Sequence, residues 1–363
     1  MAAPRGVGDG ARPGGSMPAW LEDANLAGQI AVVTGSTSGL GEITARELAR
    51  RGAHVVLGCR DLAKGEALAA EINGGGGGGG SASVLSLDLQ QPASVLAFSR
   101  EFDAAHAALD ILVNNGGVST VTRNGLPHVP QPAGIEATFL VNHLAHFGLT
   151  LALLPALARR GSQAPAARIV HVSSRAHRRV PLAKLSEYGW LQPDSAAEWL
   201  ASPANLKSAG SLMERYAVSK LVQLAFAIEL DRRLRAGSIA GLGRNGRAAL
   251  SNAVHPGLVR TGILRETYHT FGTVGGFLLS LLVAVRALFV GLHVREGVLP
   301  QLWCAAAAEV DARDVGGAYA VPAPLAEGGV ALRAPEHALA ADPEFGRRVW
   351  ALSEELWRRA SAG

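Results

Sequence analysis

Cysteine is scarce in this chain of 363 residues, and its scarcity argues against two classes of protein. The two cysteines, Cys59 and Cys304, lie far apart and show neither CxxC nor metal-ligand spacing. A small disulfide-stabilised domain and a zinc-binding domain are therefore both disfavoured, and no metal site is predicted. Two unpaired thiols also suit a reducing compartment.

Aromatic and charged residues are few as well, at 5% and 18% of the chain. The net charge is only +4, and the arginines are scattered rather than clustered with aromatic residues, so we expect no nucleic-acid partner. Apolar residues make up 48% of the chain, which is enough to bury a sizeable core in one large domain.

Residues 1–27 lack the apolar run of a secretory signal. They are rich in Gly, Pro and Ala, and we interpret them as a flexible tail. Serine is scarce there and acidic residues are present, which gives a transit peptide little support, although organellar import stays open. We expect a cytoplasmic protein, or one that lies on the surface of an intracellular membrane.

Short β-branched runs alternate with segments of helical periodicity along most of the chain. The predicted strands are 29–35, 54–59, 83–89, 109–117, 167–174, 249–257 and 316–321. The predicted helices are 42–52, 61–72, 137–159 and 213–236. This alternation predicts one α/β domain, a doubly wound parallel sheet of about seven strands with helices on both faces. The glycine tract 74–80 is interpreted as a loop without a function.

A glycine-rich turn, "TGSTSGLGEITA", joins the first predicted strand to the first predicted helix. Its glycines have the spacing G-x-x-x-G-x-G, which permits a tight turn and close backbone approach to a ligand. The helix N-terminus adds free N–H groups and a positive dipole, so the turn suits a pyrophosphate. The alternative is a glycine-rich turn that holds nothing. The candidate cofactor-binding residues here are Gly35, Ser36, Thr37, Ser38, Gly39, Leu40 and Gly41.

Tyr216 and Lys220 lie four residues apart in a segment of helical periodicity. Side chains at this spacing are neighbours on one side of a helix. A phenol has a pKa near 10, and a nearby ammonium would lower it towards neutrality. The pair therefore suits proton transfer, although a chance pairing with a snorkelling lysine explains two residues equally well.

Five motifs in order resemble the short-chain dehydrogenase/reductase family: the glycine turn, Asn114-Asn115-Gly116, Ser174, Tyr216-x-x-x-Lys220 and Pro256-Gly257. The resemblance runs from about residue 28 to 325 and implies a single Rossmann-type domain. The stretches "CRDLAKGEA", "FLVNHLAHFGLT", "RIVHVSS" and "SNAVHPG" look more narrowly like the retinol dehydrogenase and WW-domain-containing oxidoreductase branch, here without WW domains. Light-dependent protochlorophyllide reductases are a more distant likeness, and their cysteine is replaced here by Asn114.

The resemblance implies a nicotinamide cofactor, and the end of the second predicted strand indicates which one. An acidic residue at this place selects NAD, whereas an arginine accommodates the 2′-phosphate of NADP. Here Cys59 occupies the acidic position and Arg60 follows it, so NADP(H) is expected. Asp61 competes as a ribose ligand, but it fits better as the N-cap of the next helix. By resemblance, Asp88 binds the adenine edge and Leu89 flanks the ring.

The family pattern places the remaining cofactor contacts further along the chain. Asn115 and Gly116 would line the adenosine ribose, with Gly116 in place of the usual alanine. Pro256 and Gly257 turn the chain after the sixth predicted strand, and Thr261 resembles the carboxamide ligand. Tyr216 and Lys220 also count as cofactor-binding residues, because the family's lysine holds the nicotinamide ribose.

Four residues resemble the family's catalytic group. Tyr216 would donate or accept the proton, and Lys220 would lower the pKa of its phenol. Ser174 would polarise the substrate oxygen, with Ser173 as the alternative. Asn142 would position a water in a proton relay; otherwise it is an amide bonded to the helix backbone.

Two other interpretations of these motifs are weaker. Tyr188 has Gln192 rather than a lysine four residues later. A Ser–His hydrolase that used His171 or His177 would need an acidic third residue and an oxyanion loop, and it would leave the glycine turn unexplained.

Three further segments are distinguished along the chain, and the first of them departs from the family pattern. An insert at 175–212 separates Ser174 from Tyr216 and either covers the substrate cleft or packs on the surface. We interpret 262–298 as an apolar lid. Within it, 274–294 is interrupted by Arg286, which makes a spanning helix costly and leaves a lid or an interfacial helix that contacts a membrane peripherally. Residues 326–363 are interpreted as a C-terminal extension with a helix.

The expected function is therefore that of an NADP(H)-dependent oxidoreductase. It would interconvert a carbonyl and an alcohol on an apolar small molecule of the retinoid, steroid or fatty aldehyde type. A homodimer stays open. The alternative is a non-catalytic protein of the same fold that senses the redox state of NADP.

Overall fold

The computed structural model describes residues 17–75, 79–118, 135–159, 165–181, 212–239, 249–257 and 294–362. Eight strands form one sheet in the order β3-β2-β1-β4-β5-β6-β7-β8. All neighbouring pairs are parallel except β7 and β8. Strands β1 to β8 are Ile30–Thr34, His54–Cys59, Ser81–Ser86, Ile111–Asn114, Ala167–Val172, Ala249–Val254, Tyr319–Pro322 and Val330–Arg333.

The central strands are buried on both faces. Every residue of β4, β5 and β6 is buried, including the polar Arg168, His171 and Asn252, so these strands lack the in-and-out alternation of a half-exposed sheet. The strand order reverses between β1 and β4, and at such a point an open α/β sheet forms a crevice beside the carboxyl ends of its strands. The doubly wound parallel sheet predicted from the sequence is confirmed.

Helices cover the sheet, and four of them recur below under fixed names. The cradle helix is Gly39–Arg50, the π-bulged helix is Ala137–Ala158, the tyrosine helix is Leu212–Ala236 and the closing helix is Pro343–Ser361. Within the described residues the other α-helices of four or more residues are Ala19–Glu22, Leu62–Gly74, Pro92–Ala105, Val294–Gly297, Leu299–Ala306 and Ala308–Ala312. Pro92–Ala105 had not been predicted.

The flexible tail predicted over 1–27 is wrong for its last part. Residues 19–22 form a helical turn, and Leu21 and Leu26 are buried in the core on one side of the sheet. The indole Nε1 of Trp20 donates a hydrogen bond to the carbonyl of Gly328, 2.9 Å away. Overall composition hid these few apolar side chains among many glycines, prolines and alanines.

Residues beyond 325 are an integral part of the same fold. Strand β8 pairs antiparallel with β7, and the closing helix packs against the tyrosine helix and the π-bulged helix. In this core Trp350 contacts Phe147 edge-on, with ring centres 5.4 Å apart, and lies 5.8 Å from the ring of Phe226. The predicted C-terminal helix is present, but it completes the core rather than extending from it.

Among the described residues, the π-bulged helix is the one segment long and apolar enough to cross a membrane by length and composition. Most of its apolar window, 83%, is buried inside the protein, which is the property of a core helix. Several predicted features lie outside the described residues: the first 16 residues, most of the insert with Tyr188, Thr261 and most of the lid.

Candidate active site

The turn between β1 and the cradle helix is tight and requires glycine at two positions. Gly35 has a φ of +62°, in the left-handed region that favours glycine. A side chain at Gly41 would collide with the carbonyl of Gly35, so the chain closes on itself here. Within the turn Ser36 is fully buried, and its hydroxyl has no hydrogen-bond partner among the described residues. A buried hydroxyl beside a helix N-terminus suits a phosphate ligand.

Thr34 fastens the end of β1 to the end of β4. Its hydroxyl oxygen accepts hydrogen bonds from the backbone N–H groups of Asn115, at 3.0 Å, and Gly116, at 2.8 Å. The amide Nδ2 of Asn115 donates to the carbonyl of Thr34, 2.9 Å away. Sequence reasoning gave Thr34 no role, although it begins the glycine motif. These bonds place Asn115 and Gly116 beside the glycine turn.

Gly116 stands where the family usually has alanine, and its surroundings leave little room for a methyl group. A Cβ at this position would lie 2.7 Å from Cδ1 of Leu89. Leu89 is itself buried, so it would have to move to admit the methyl group. Leu89 and Gly116 therefore touch, as their predicted places around one adenosine require.

The polar residues that follow β2 and β3 differ in how far their side chains are engaged in bonds within the protein. The Asp61 carboxylate accepts from the N–H of Lys64 at 3.1 Å and pairs with the Lys64 ammonium at 2.7 Å, so its predicted place as a helix cap is confirmed. Arg60 is exposed. Asp88 accepts from the N–H of Gln90 at 3.0 Å, which leaves its second carboxylate oxygen for a ligand.

Ser174, Tyr216 and Lys220 come together where β5 meets the tyrosine helix. The side chain of Ser174 lies beside the hydroxyl of Tyr216 and acts to lower the pKa of its phenol. The ammonium nitrogen Nζ of Lys220 lies 5.8 Å from the centre of the Tyr216 ring. Lys220 Nζ donates to the carbonyl of Val172, at 2.7 Å, and to Oε1 of Gln223, at 2.9 Å. Gln223 was missed, although it lies one helical turn beyond Lys220.

Asn142 joins this group from a turn of π-helix at Leu140–Leu144, a local form often found at functional sites. Its side-chain amide donates to the Val118 carbonyl at 2.9 Å and to Oγ of Ser219 at 3.0 Å, and it accepts from the Val118 N–H at 2.8 Å. A Cβ at Gly117 would lie 3.2 Å from Asn142 Oδ1 and 3.6 Å from Lys220 Nζ. The structure therefore brings all four predicted catalytic residues into one cluster.

The predicted effect of Lys220 on Tyr216 is not what this arrangement shows. Burial raises the pKa of the Tyr216 phenol, and Ser174 only partly opposes it. Burial also lowers the pKa of Lys220 to about 7. The lysine is therefore incompletely charged at neutral pH, and its N–H groups are directed to Val172 and Gln223 rather than to the phenol.

The same geometry argues against Ser173 as the alternative to Ser174 and against a Ser–His hydrolase. The hydroxyl of Ser173 donates to the backbone carbonyl of Lys220, 2.8 Å away, so it fastens the strand to the helix. His177 contacts the backbone carbonyl of Ser174 through Nδ1 at 2.7 Å, and His171 lies buried beside Asn114. Neither histidine has the nucleophile contact that a hydrolase requires.

Pro256 and Gly257 follow β6 as predicted, and the N–H of Gly257 donates to Nδ1 of His255 at 3.3 Å. Thr261 lies outside the described residues.

The pKa of Lys220 has a consequence for stability. In the unfolded chain its pKa returns to about 10.5, so between pH 7 and 10.5 the unfolded state binds a proton that the folded state lacks. Stability from this group therefore rises with pH. Relative to a Lys220→Met variant, the unfolding free energy of the wild type should increase by on the order of 1 kcal/mol per pH unit from pH 7.5 to 9.5.

Denaturant titrations at three pH values measure this difference. Lys64→Met, at an exposed lysine, is the matched control and should run parallel to the wild type. A Lys220→Met variant that also runs parallel would show that Lys220 stays fully charged in the fold.

The fold and this cluster define the class, and comparison with known proteins agrees. The chain belongs to the short-chain dehydrogenase family of oxidoreductases, whose family model matches residues 29–189. Within it the chain falls in the branch of the retinol dehydrogenases and the WW domain-containing oxidoreductase, which confirms the resemblance found in the sequence.

Three relatives illustrate this branch. Retinol dehydrogenase 12 of Bos taurus is 38% identical, over 68% of this chain and 66% of that protein. Retinol dehydrogenase 13 of Homo sapiens is 34% identical, over 94% of this chain and 88% of that protein. The WW domain-containing oxidoreductase of Homo sapiens is 30% identical, over 93% of this chain and 70% of that protein.

Solved structures share the fold. An uncharacterized protein from Mycobacterium paratuberculosis superposes with a TM-score of 0.62 at 28% identity, over 93% of this chain and 97% of that one. A short-chain dehydrogenase from Burkholderia cenocepacia, solved in complex with NADP, has a TM-score of 0.56 at 22% identity, over 82% and 97%.

Proposed function

We propose that this protein is an NADP(H)-dependent oxidoreductase that interconverts a carbonyl and an alcohol on an apolar small molecule. The observation that carries the proposal is the position of Tyr216 beside both Ser174 and Lys220, whose ammonium nitrogen lies 5.8 Å from the centre of the Tyr216 ring. A proton donor and a hydrogen-bond donor that converge on one point suit a carbonyl oxygen.

In the direction of reduction, Tyr216 gives its proton to the substrate oxygen while Ser174 donates a hydrogen bond to that oxygen. The nicotinamide cofactor, when bound, supplies the hydride. Lys220, one helical turn away, would favour the phenolate that remains only in its protonated form, which burial leaves partly populated at neutral pH. Asn142 holds Val118 and Ser219 around the cluster through its amide. In the direction of oxidation the same residues act in reverse.

The chain's residues fit a dinucleotide. The buried hydroxyl of Ser36 and the N-terminus of the cradle helix suit the pyrophosphate. Exposed Arg60 suits a 2′-phosphate, since Asp61 is committed to its helix cap. The residues proposed to hold the cofactor are Gly35, Ser36, Thr37, Ser38, Gly39, Leu40, Gly41, Arg60, Asp88, Leu89, Asn115, Gly116, Tyr216, Lys220, Pro256, Gly257 and Thr261.

An apolar substrate is proposed from two observations. The relatives named above include two retinol dehydrogenases, and retinol is an apolar alcohol. The segment 274–294 also carries more apolar side chains than an exposed loop requires. Turnover of a panel of retinoid, steroid and fatty aldehydes with NADPH tests the proposal. If NADPH binds and no aldehyde is consumed, the non-catalytic redox sensor becomes the better description.

Arg60→Ala should separate the two nicotinamide cofactors. We expect the Kd for NADPH to rise about ten- to a hundredfold, the effect of one charged hydrogen bond of roughly 1.5–3 kcal/mol, while the Kd for NADH changes little. Calorimetric titration with each cofactor measures this. Arg313→Ala, at an exposed arginine paired with Glu309, is the control. Equal losses for both cofactors would show that Arg60 does not bind the 2′-phosphate.

The apolar segment 274–294 should govern substrate access. Replacing Leu278, Leu282 and Phe289 with Ser is expected to weaken turnover of long apolar aldehydes and to spare NADPH affinity and small aldehydes. Cosedimentation with liposomes then distinguishes a lid from a membrane-contacting helix, because only the latter loses vesicle binding. Failure of the variant to fold or bind NADPH would assign the segment to the core.

A further inference from the structure

His146 is a buried imidazole that bonds to two parts of the candidate site. It lies in the π-bulged helix, is 1% exposed and had no role in the sequence analysis. Its Nε2 atom lies 2.9 Å from the hydroxyl oxygen of Thr34, and its Nδ1 atom lies 3.2 Å from the backbone carbonyl of Asn142. One ring therefore reaches both the strand that precedes the glycine turn and the π-helical turn that carries Asn142.

The number of donors and acceptors around the Thr34 hydroxyl determines the direction of its bond with His146. A threonine hydroxyl has one proton to donate and two lone pairs that accept. The N–H groups of Asn115 and Gly116 occupy both lone pairs of Thr34. Its proton can reach His146 Nε2, at 2.9 Å, or the Val113 carbonyl, which at 3.5 Å lies at the limit of hydrogen bonding. Thr34 therefore donates to His146, and Nε2 carries no proton.

The direction of the bond between His146 and the Asn142 carbonyl follows from that of the bond with Thr34. A neutral imidazole with a bare Nε2 carries its proton on Nδ1, which then donates to the Asn142 carbonyl. The pKa of His146 is lowered to about 3, chiefly by burial and against the opposing effect of the bond to the Asn142 carbonyl, which agrees with a neutral ring. The Nδ1–H tautomer satisfies both nitrogens, whereas the opposite tautomer would place two protons between Nε2 and Thr34 and none beside the carbonyl.

We propose that His146 is a positioning residue that acts as a neutral Nδ1–H tautomer and holds the cofactor-binding turn in register with Asn142. The hydrogen bonds run one way, from the N–H groups of Asn115 and Gly116 through Thr34 and His146 to the Asn142 carbonyl. The significance of this connection for catalysis rests on the proposed function. The tautomer itself does not.

The tautomer is tested directly by the ring nitrogens. Two-bond ¹H–¹⁵N spectra of protein labelled with [¹⁵N]histidine distinguish protonated from bare ring nitrogens, and the signals lost in His146→Gln identify His146. We expect a protonated Nδ1 and a bare Nε2 without titration from pH 5 to 8. A protonated Nε2, or a ring that titrates in this range, would overturn the proposal.

The positioning role is tested by cofactor affinity. His146→Phe removes the bond between the two side chains and should raise the NADPH Kd about fivefold, the change that one hydrogen bond of about 1 kcal/mol represents. Thr34→Val removes this bond together with the two that Thr34 accepts from Asn115 and Gly116, so its Kd should rise further. The double variant should lose little more than Thr34→Val alone, because the bond to His146 is already absent there. Additive losses, or unchanged Kd values, would overturn the role.

Conservative variants separate positioning from mere folding. In His146→Gln the amide oxygen can still accept from Thr34, and in Thr34→Ser the hydroxyl is kept, so both should retain near wild-type NADPH affinity. His143→Gln is the matched control, because His143 is equally buried in the same helix but bonds Ser353 at 2.7 Å on the closing helix. It should lower stability and leave the Kd unchanged. A Kd raised equally in His146→Gln and His143→Gln would assign His146 a structural role only.

These measurements also distinguish failure of the inference from failure of the proposed function. If the wild type does not bind NADPH, the cofactor proposal fails, while the nitrogen spectra still decide the tautomer. If the wild type binds NADPH and the spectra show Nε2–H, only the inference fails.

Discussion

Turnover of an aldehyde by the Tyr216→Phe variant is expected to fall about 10²–10⁴-fold, the usual contribution of a general acid, while the Kd for NADPH stays close to that of the wild type. The phenylalanine ring keeps the packing of the tyrosine and removes only the hydroxyl that lies beside Ser174. Steady-state kinetics give kcat, and a separate titration with NADPH gives the Kd.

Tyr319→Phe is the matched control for this experiment. Tyr319 is more buried than Tyr216, and its hydroxyl has no hydrogen-bond partner among the described residues. Its loss should leave kcat within about twofold of the wild type, since surrounding contacts are kept. If Tyr216→Phe retained activity, the proton would have to come from another group and the assignment would be wrong.

The Trp350→Ala variant should lose about 3–5 kcal/mol of unfolding free energy, the range for removing a large aromatic side chain from a core. Trp350 is 4% exposed and packs on Phe147 and Phe226. The guanidinium of Arg233 lies 4.1 Å from the centre of its ring, so a cation–π contact is lost as well. Guanidinium titrations followed by circular dichroism measure the change.

Glu354→Ala tests whether the effect belongs to the tryptophan or to the closing helix as a whole. Glu354 is exposed in the same helix, and alanine there should change stability by no more than about 0.5 kcal/mol. A loss of less than about 1 kcal/mol in Trp350→Ala would mean that the closing helix is not part of the cooperative core.

Local chemistry was well predicted from the sequence. The N-cap role of Asp61 depends on bonds within one helical turn. Strand β2, His54–Cys59, has the same bounds as the strand predicted from the sequence. The pairing of Tyr216 with Lys220 followed from helix geometry alone. Features that depend on residues within a few positions of one another can be found in this way.

Features set by distant contacts could not be predicted. Strand β8 is four residues long, too short to show a periodic pattern, and its strand form depends on pairing with β7. The π-helical turn Leu140–Leu144 interrupts a segment whose sequence shows only ordinary helical periodicity. The lack of space at Gly116 comes from the side chain of Leu89, which follows β3 and is distant in sequence.

The pKa prediction for Tyr216 failed for a related reason. Helical spacing places a lysine near a phenol, but it does not indicate how deeply either group is buried. Desolvation of Lys220 and its bonds to Val172 and Gln223 decide the charge near the phenol, and both come from tertiary structure.

The position of the closing helix has a consequence for synthesis of the protein in the cell. Residues 343–361 leave the ribosome after every strand and after all the proposed site residues, yet they cover the apolar sides of the π-bulged and tyrosine helices. At about 5–20 residues per second, the nascent chain exposes this surface for seconds before it can be covered. A message truncated before residue 343 would encode the whole proposed site and still yield a substrate for chaperones and proteases rather than a weakened enzyme.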